Sequence, residues 1–124
     1  MICPFCEVDT PQFGNALAYV KYDMYPVSPG HVLIIPRRHV SFWFDLTPEE
    51  HAAVSELIGR AKEYLDPMYS PAGYNIGVNC GEAAGQTIMH AHLHLIPRYA
   101  GDVPNPRGGI RAVIRAKQDY PHPI

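Results

Sequence analysis

Residues 15–22 (NALAYVKY) carry β-forming side chains and run into Asp23 and the turn-forming stretch YPVSPG at 25–30, a pattern that predicts a strand and a tight loop. Residues 31–36 (HVLIIP) are short, apolar and β-branched, as expected of a buried strand paired with the one before it. A helix opens after Leu46: Thr47 is placed to cap it, Pro48 suits its first position, and Glu50 stands three residues after the cap. It is predicted to run to about Leu65, with Ala53, Leu57, Ala61, Tyr64 and Leu65 forming the face laid on a sheet. Residues 74–79 and 90–97 read as two further strands, separated by a glycine-containing loop at 80–87. From Gly101 onward proline and glycine recur, which predicts an extended tail with one short strand at 110–114. The order strand, strand, helix, strand, strand predicts an antiparallel α+β sheet covered on one side, without internal repeats.

Composition narrows the function. The 124 residues, 47% hydrophobic and 18% charged, supply one core and too little chain for two ordinary domains. A net charge of -2 leaves no bulk basic surface for a nucleic-acid polymer. No apolar run approaches the roughly 18 residues of a membrane span, and no basic segment leads an apolar one at the N-terminus, so a cytoplasmic protein away from membranes is expected. Cys3 and Cys6 stand too close for the disulfide framework of a secreted mini-protein, and alone they read as a redox dithiol, half a zinc site, or neither.

His90, His92 and His94 alternate with Ala91, Leu93 and Leu95. On a strand, that spacing sends three imidazoles to one face within roughly 13 Å while the apolar residues enter the core. Histidine titrates near neutrality, so such a row is a candidate for acid–base or nucleophilic work. The preceding residues 81–87 (GEAAGQT) offer Gly85, where backbone amides could approach an anion closely, with Gln86 and Thr87 as neutral donors. A phosphate is the natural guest of that loop.

The run HAHLHLI at 90–96 resembles the histidine triad signature, in which three histidines alternate with apolar residues. The wider segment NCGEAAGQTIMHAHLHLIPR at 79–98 is similar to the corresponding stretch of the family's fragile-histidine-triad and Hint branches, and PGHVLIIP at 29–36 followed by Arg38 and His39 also resembles the family. The resemblance implies a single-domain fold at 1–100 with about five antiparallel strands, one main helix and a short N-terminal helix or turn, and a tail at 101–124 packed on it. It further implies a nucleotidyl hydrolase or transferase. His92 would be the nucleophile at the α-phosphorus, forming a covalent nucleotidyl intermediate. His94 would bond a phosphate oxygen or the leaving group, and Gly85, Gln86 and Thr87 would hold the phosphate, with Gln86 placing the hydrolytic water. Asn79 joins this substrate-binding set. Asp23 either starts a turn or takes the ribose hydroxyls, and Phe5 and Met24 either flank a purine base or serve the core. His31 is either a satisfied core histidine or the orienter of an active-site histidine, and His51 and His122 carry no assigned role.

Some bacterial members of the family, and the related galactose-1-phosphate uridylyltransferases, join two such cysteines to two histidines around a structural zinc. The matching residues here are Cys3, Cys6, His39 and His90, with Cys80 left as a small hydrophobe. Pro97 and Arg98 resemble the dinucleoside polyphosphate hydrolases more than the Hint branch, which favours a substrate such as diadenosine tetraphosphate, with magnesium accompanying the polyphosphate. A Hint-type nucleoside phosphoramidate hydrolase and a nucleotide-sensing module with little turnover are the alternatives. The family also implies a homodimer.

Overall fold

The computed structural model describes residues 3–6 and 11–121. Strands β1 (Phe13–Gly14), β2 (Ala18–Tyr22), β3 (Val32–Pro36), β4 (Gly73–Gly77) and β5 (Leu93–Arg98) form one antiparallel sheet in the order β1-β2-β3-β5-β4. Helix α1 (Pro48–Tyr69) covers one face, packing chiefly over β2 and β3. The α+β class and its single main helix are as the pattern predicts.

Period-two alternation divides the core. Val20, Val32, Ile34, Leu93 and Leu95 point under α1 and meet Val54, Leu57, Ala61 and Leu65. On the opposite face, Tyr19, Leu33 and Ile35 form a second cluster with Phe5. Strand β3 is buried along its whole length because both clusters need it.

Local chemistry explains where the elements depart from expectation. The 15–22 strand begins only at Ala18, because the Asn15 side chain accepts from the amides of Leu17 and Ala18 and makes a tight turn back to β1. Helix α1 extends past Leu65 to Tyr69 with Pro67 inside its last turn, and ends where Ser70 adopts a left-handed φ of 48°. Its buried face takes in Glu50 and Val54 as well, with the expected Ala53 and Tyr64 partly buried against the same core. The 74–79 strand is shifted to Gly73–Gly77. Residues 90–92 stand outside β5, so the three histidines do not share one strand: β3 pairs β5 only from Val32–Leu95 to Ile34–Leu93, and beyond it the Pro36 carbonyl is taken by the His90 ring. The tail holds no strand at 110–114. It turns instead through two short 3-10 helices, Gly109–Val113 and Arg115–Lys117, drawn together by the Arg111 guanidinium donating to the carbonyls of Lys117 and Gln118, while the Gln118 amide donates back to the carbonyls of Asn105 and Arg107. Residues 7–10 and His122 lie outside the described residues.

Candidate active site and metal centre

The sheet face away from α1 is built by register. Lys21 pairs Leu33, Leu33 pairs His94 and His94 pairs Gly77, so one row of residues crosses from β2 to β4. Over it lies a chamber of about 430 Å³, lined among others by Phe5, Asp23, Met24, Leu33, His92 and His94, with Asn79, Gly85 and Thr87 at its border. Phe5 is both core and wall, 5% exposed and 5.0 Å ring to ring from His92, whereas Met24 is 74% exposed and lies at the chamber's edge. Lys21 was not singled out in the sequence, although counting back by two from Asp23 along β2 puts it on this face; its Nζ stands 6.0 Å from the Phe5 ring centre.

The hydrogen bonds fix the proton on each imidazole. A backbone amide can only donate, and that of Val27 points at His31 Nδ1 from 3.0 Å; His31 therefore carries its proton on Nε2. That Nε2 lies 2.9 Å from His94 Nδ1, so it donates there and leaves His94 with its own proton on Nε2. Burial lowers the pKa of both rings; for His94, with help from His92 and His31 and against the pull of Asp23, the value falls to about 4. His94 is thus a neutral N–H donor at physiological pH. His92 Nδ1 lies 2.8 Å from the main-chain carbonyl of His90, which can only accept, so Nδ1 holds the proton and Nε2 keeps its lone pair. By the same logic the ring of His90, fully buried, donates from Nε2 to the Pro36 carbonyl at 2.7 Å. Its Nδ1 lone pair faces Cys3 Sγ at 3.4 Å and Cys6 Sγ at 3.6 Å.

Asp23 performs the turn role and also faces the histidines. One carboxylate oxygen accepts from the Tyr25 amide at 2.8 Å, while the other lies 3.5 Å from His31 Nε2 and 3.9 Å from His94 Nδ1. These three residues form a ligand-like cluster, but the close approach of the two ring nitrogens is the signature of a shared proton.

Gln86 does not line the chamber. Its amide nitrogen donates to the carbonyls of Ser41 (2.6 Å) and Ile88 (3.0 Å), and its oxygen accepts from the Gly81 amide. The amides of Ala84, Gly85 and Gln86 close on the carbonyls of Gly81 and Glu82, with Gly85 at a φ of 94° that favours glycine. Gln86 is a clasp that sets the loop's shape.

Cys3, Cys6, His39 and His90 present ligand atoms within 4.8 Å of one another. A tetrahedral zinc with ordinary bond lengths places sulfur and nitrogen ligands about 3.5 Å apart; the Sγ–Nδ1 distances here are 3.0, 3.4 and 3.6 Å. Two thiols and two imidazoles, one of them with its lone pair aimed inward by the Pro36 bond, fit that metal. The turn at Cys3–Cys6, closed by the Cys6 amide on the Cys3 carbonyl, brings Phe5 to the chamber.

Residues 13–101 match the family model described as the HIT domain. The chain belongs to the histidine triad (HIT) family. This HIT protein is 37% identical over 109 residues to a protein of Mycobacterium tuberculosis named AP-4-A phosphorylase, covering 80% of this chain and 55% of that protein. It is 39% identical over 90 residues to the bis(5'-nucleosyl)-tetraphosphatase (asymmetrical) of Schizosaccharomyces pombe, covering 73% of this chain and 50% of the relative. The chain spans about half the length of these curated relatives. A crystal structure of a HIT family protein from Bacillus anthracis matches with a TM-score of 0.72 at 33% identity, over 78% of this chain and 71% of that one.

Proposed function

We propose that this HIT protein is a nucleotidyl hydrolase or transferase acting on dinucleoside polyphosphates such as diadenosine tetraphosphate. The observation that carries the reading is the opposite proton placement on neighbouring rings: His92 keeps the Nε2 lone pair of a nucleophile, and His94 keeps the Nε2 hydrogen of a neutral hydrogen-bond donor. His92 Nε2 attacks the α-phosphorus, the bond from phosphorus to the bridging oxygen breaks, and His94 hydrogen-bonds that departing oxygen. Positive charge developing on the His92 ring is met by the His90 carbonyl through Nδ1–H. Water then attacks the phosphorus, freeing the nucleoside monophosphate and regenerating neutral His92. Asp23 holds the ribose, Phe5 and Met24 flank the base, Asn79, Gly85 and Thr87 border the phosphate, and Gln86 positions their loop. Magnesium enters with the polyphosphate as part of the substrate.

Zinc held by Cys3, Cys6, His39 and His90 would staple the N-terminal turn to the sheet and so fix both Phe5 and the carbonyl behind His92. A homodimer is proposed across the outer edge of β4, where α1 leaves the sheet's helix-side face thinly covered and Ile76 is 47% exposed; gel filtration at micromolar concentration showing only a 13.8 kDa species would remove it.

The deciding experiment mixes wild type and His92→Gly with diadenosine tetraphosphate labelled at the α-phosphate, quenched in alkaline detergent because phosphorus–nitrogen bonds are acid-labile. Protein-bound label on wild type alone is expected. Tight binding with neither label nor turnover would overturn the reading in favour of a nucleotide-sensing module.

A further inference from the structure

Lys21 is the charged residue of the chamber that the proposed chemistry leaves unused. Among the described residues lining that hollow it is the one lysine or arginine, half-buried on β2, and none of the described carboxylates forms an ion pair with it. Its place follows from register. The row from Lys21 through Leu33 to His94 crosses two strand spacings, about 10 Å, so the lysine stem starts at the end of the chamber remote from the reacting phosphorus. Asp23 is nearer that centre, with a carboxylate oxygen 3.9 Å from His94 Nδ1. A nucleotide with its phosphate at the histidines and its ribose at Asp23 therefore extends its base toward Phe5 and Lys21. The lysine Nζ stands 6.0 Å from the Phe5 ring centre, the outer limit of a cation–aromatic contact, which keeps the charge at that end without using up its hydrogen-bond donors.

We propose that Lys21 sets the base preference of this chamber, selecting a 6-oxopurine such as guanine over adenine. The assignment deepens, and rests on, the reading that a nucleotide lies here with its α-phosphorus at His92. An ammonium offers three donors and no acceptor. Guanine presents O6 and N7 side by side as two acceptors, which a lysine meets in one approach, whereas adenine carries in place of O6 an amino group whose hydrogens oppose the ammonium. The other walls at that end, Pro4, Phe5, Leu33 and Ile88, are apolar and cover a purine without telling the two bases apart. Half-buried beside those walls, the ammonium contact is stronger than it would be in open water. Diadenosine tetraphosphate remains a substrate, held less tightly at this end than its diguanosine counterpart.

Calorimetric titration with guanosine, inosine and adenosine monophosphates reads the base alone, because phosphate and ribose are common to all three. Wild type is expected to bind the guanosine and inosine monophosphates about tenfold more tightly than the adenosine one, toward the lower end of the discrimination a lysine–guanine pair gives. Inosine keeps O6 and N7 but lacks the 2-amino group of guanine, so it should side with guanosine. Lys21→Met should bring the three affinities within twofold of one another, and Lys21→Arg should preserve their order, with circular dichroism confirming that both variants fold. Equal affinities in wild type would overturn the assignment. So would a preference that survives Lys21→Met, and if all three nucleotides weaken together in that variant, Lys21 serves the phosphate instead. Failure of wild type to bind any of the three would remove the nucleotide reading itself, and the base preference with it.

Discussion

Glu50 gives the sharpest energetic prediction. The carboxylate is 4% exposed and accepts from Arg38 twice, Nε at 3.1 Å and an Nη at 2.7 Å, while one of its oxygens also caps the helix by accepting from the Thr47 amide at 2.9 Å. The Arg38 contact, more than any other, holds its pKa at about 2 in place of the ordinary 4.5. At roughly 1.4 kcal/mol per decade this gap corresponds to about 3 kcal/mol of stability; water around the half-exposed guanidinium trims the expected loss in Glu50→Gln to about 2 kcal/mol at pH 7. The sign is set by a depressed acid: its contribution is complete above about pH 4.5 and disappears as pH falls through 2. Urea unfolding of wild type and Glu50→Gln at pH 7 and again at pH 3.5 should show the gap between them narrowing by about 1 kcal/mol, and protonation of the shared cysteine and histidine cluster cancels in that comparison. A gap under about 0.5 kcal/mol at pH 7, or one indifferent to pH, would refute the assignment of this stability to the Arg38–Glu50 pair.

Metal analysis of protein purified without added metal should find close to one equivalent of zinc, lost in His39→Ala with a lowered Tm; less than about a tenth of an equivalent would sink the four-ligand site. Nitrogen-15 NMR of the imidazoles should find His94 neutral, its proton on Nε2, down to about pH 5, since its pKa is pushed to about 4, and a midpoint at 6 or above would contradict the burial argument. Replacing Gln86 with alanine strips partners from the carbonyls of Ser41 and Ile88 and from the Gly81 amide, at a cost of about 1–3 kcal/mol, and should raise KM more than it lowers kcat. An unchanged melting temperature would show that the loop closes without its clasp.

Features whose partners are near in sequence were legible from the chain. Thr47, Pro48 and Glu50 announce the helix because a capping box is local, and both of its hydrogen bonds form as the spacing requires. The burial of Glu50 was hidden because its partner Arg38 lies twelve residues upstream, before a 3-10 turn at Trp43–Asp45. The histidine row was visible as a spacing, yet the spacing assumed one strand; a side-chain bond from His90 to Pro36 ends the ladder early, and no periodicity encodes that. Gln86 shows the same limit: its residue type suggests a donor to phosphate, and only the fold reveals three backbone partners already using it. The tail misled because Ile110 and Ile114 look like strand residues, whereas the Gln118 amide and glycines at 108 and 109 with positive φ fold them into 3-10 turns.

His90 answers to three demands at once. One ring nitrogen belongs to the cysteine cluster, the other ends a strand, and the carbonyl sets the proton of the next histidine along. Such stacking makes the position a poor subject for mutational bookkeeping. An inactive His90→Ala protein would report lost architecture and lost chemistry in a single number, and no dose of activity data on that variant would separate them. Residue 90 also has few routes by which to drift, since a replacement that satisfies one neighbour abandons another. The informative substitutions are its correspondents, each of which owns one obligation: His39 for the cluster and His92 for the chemistry.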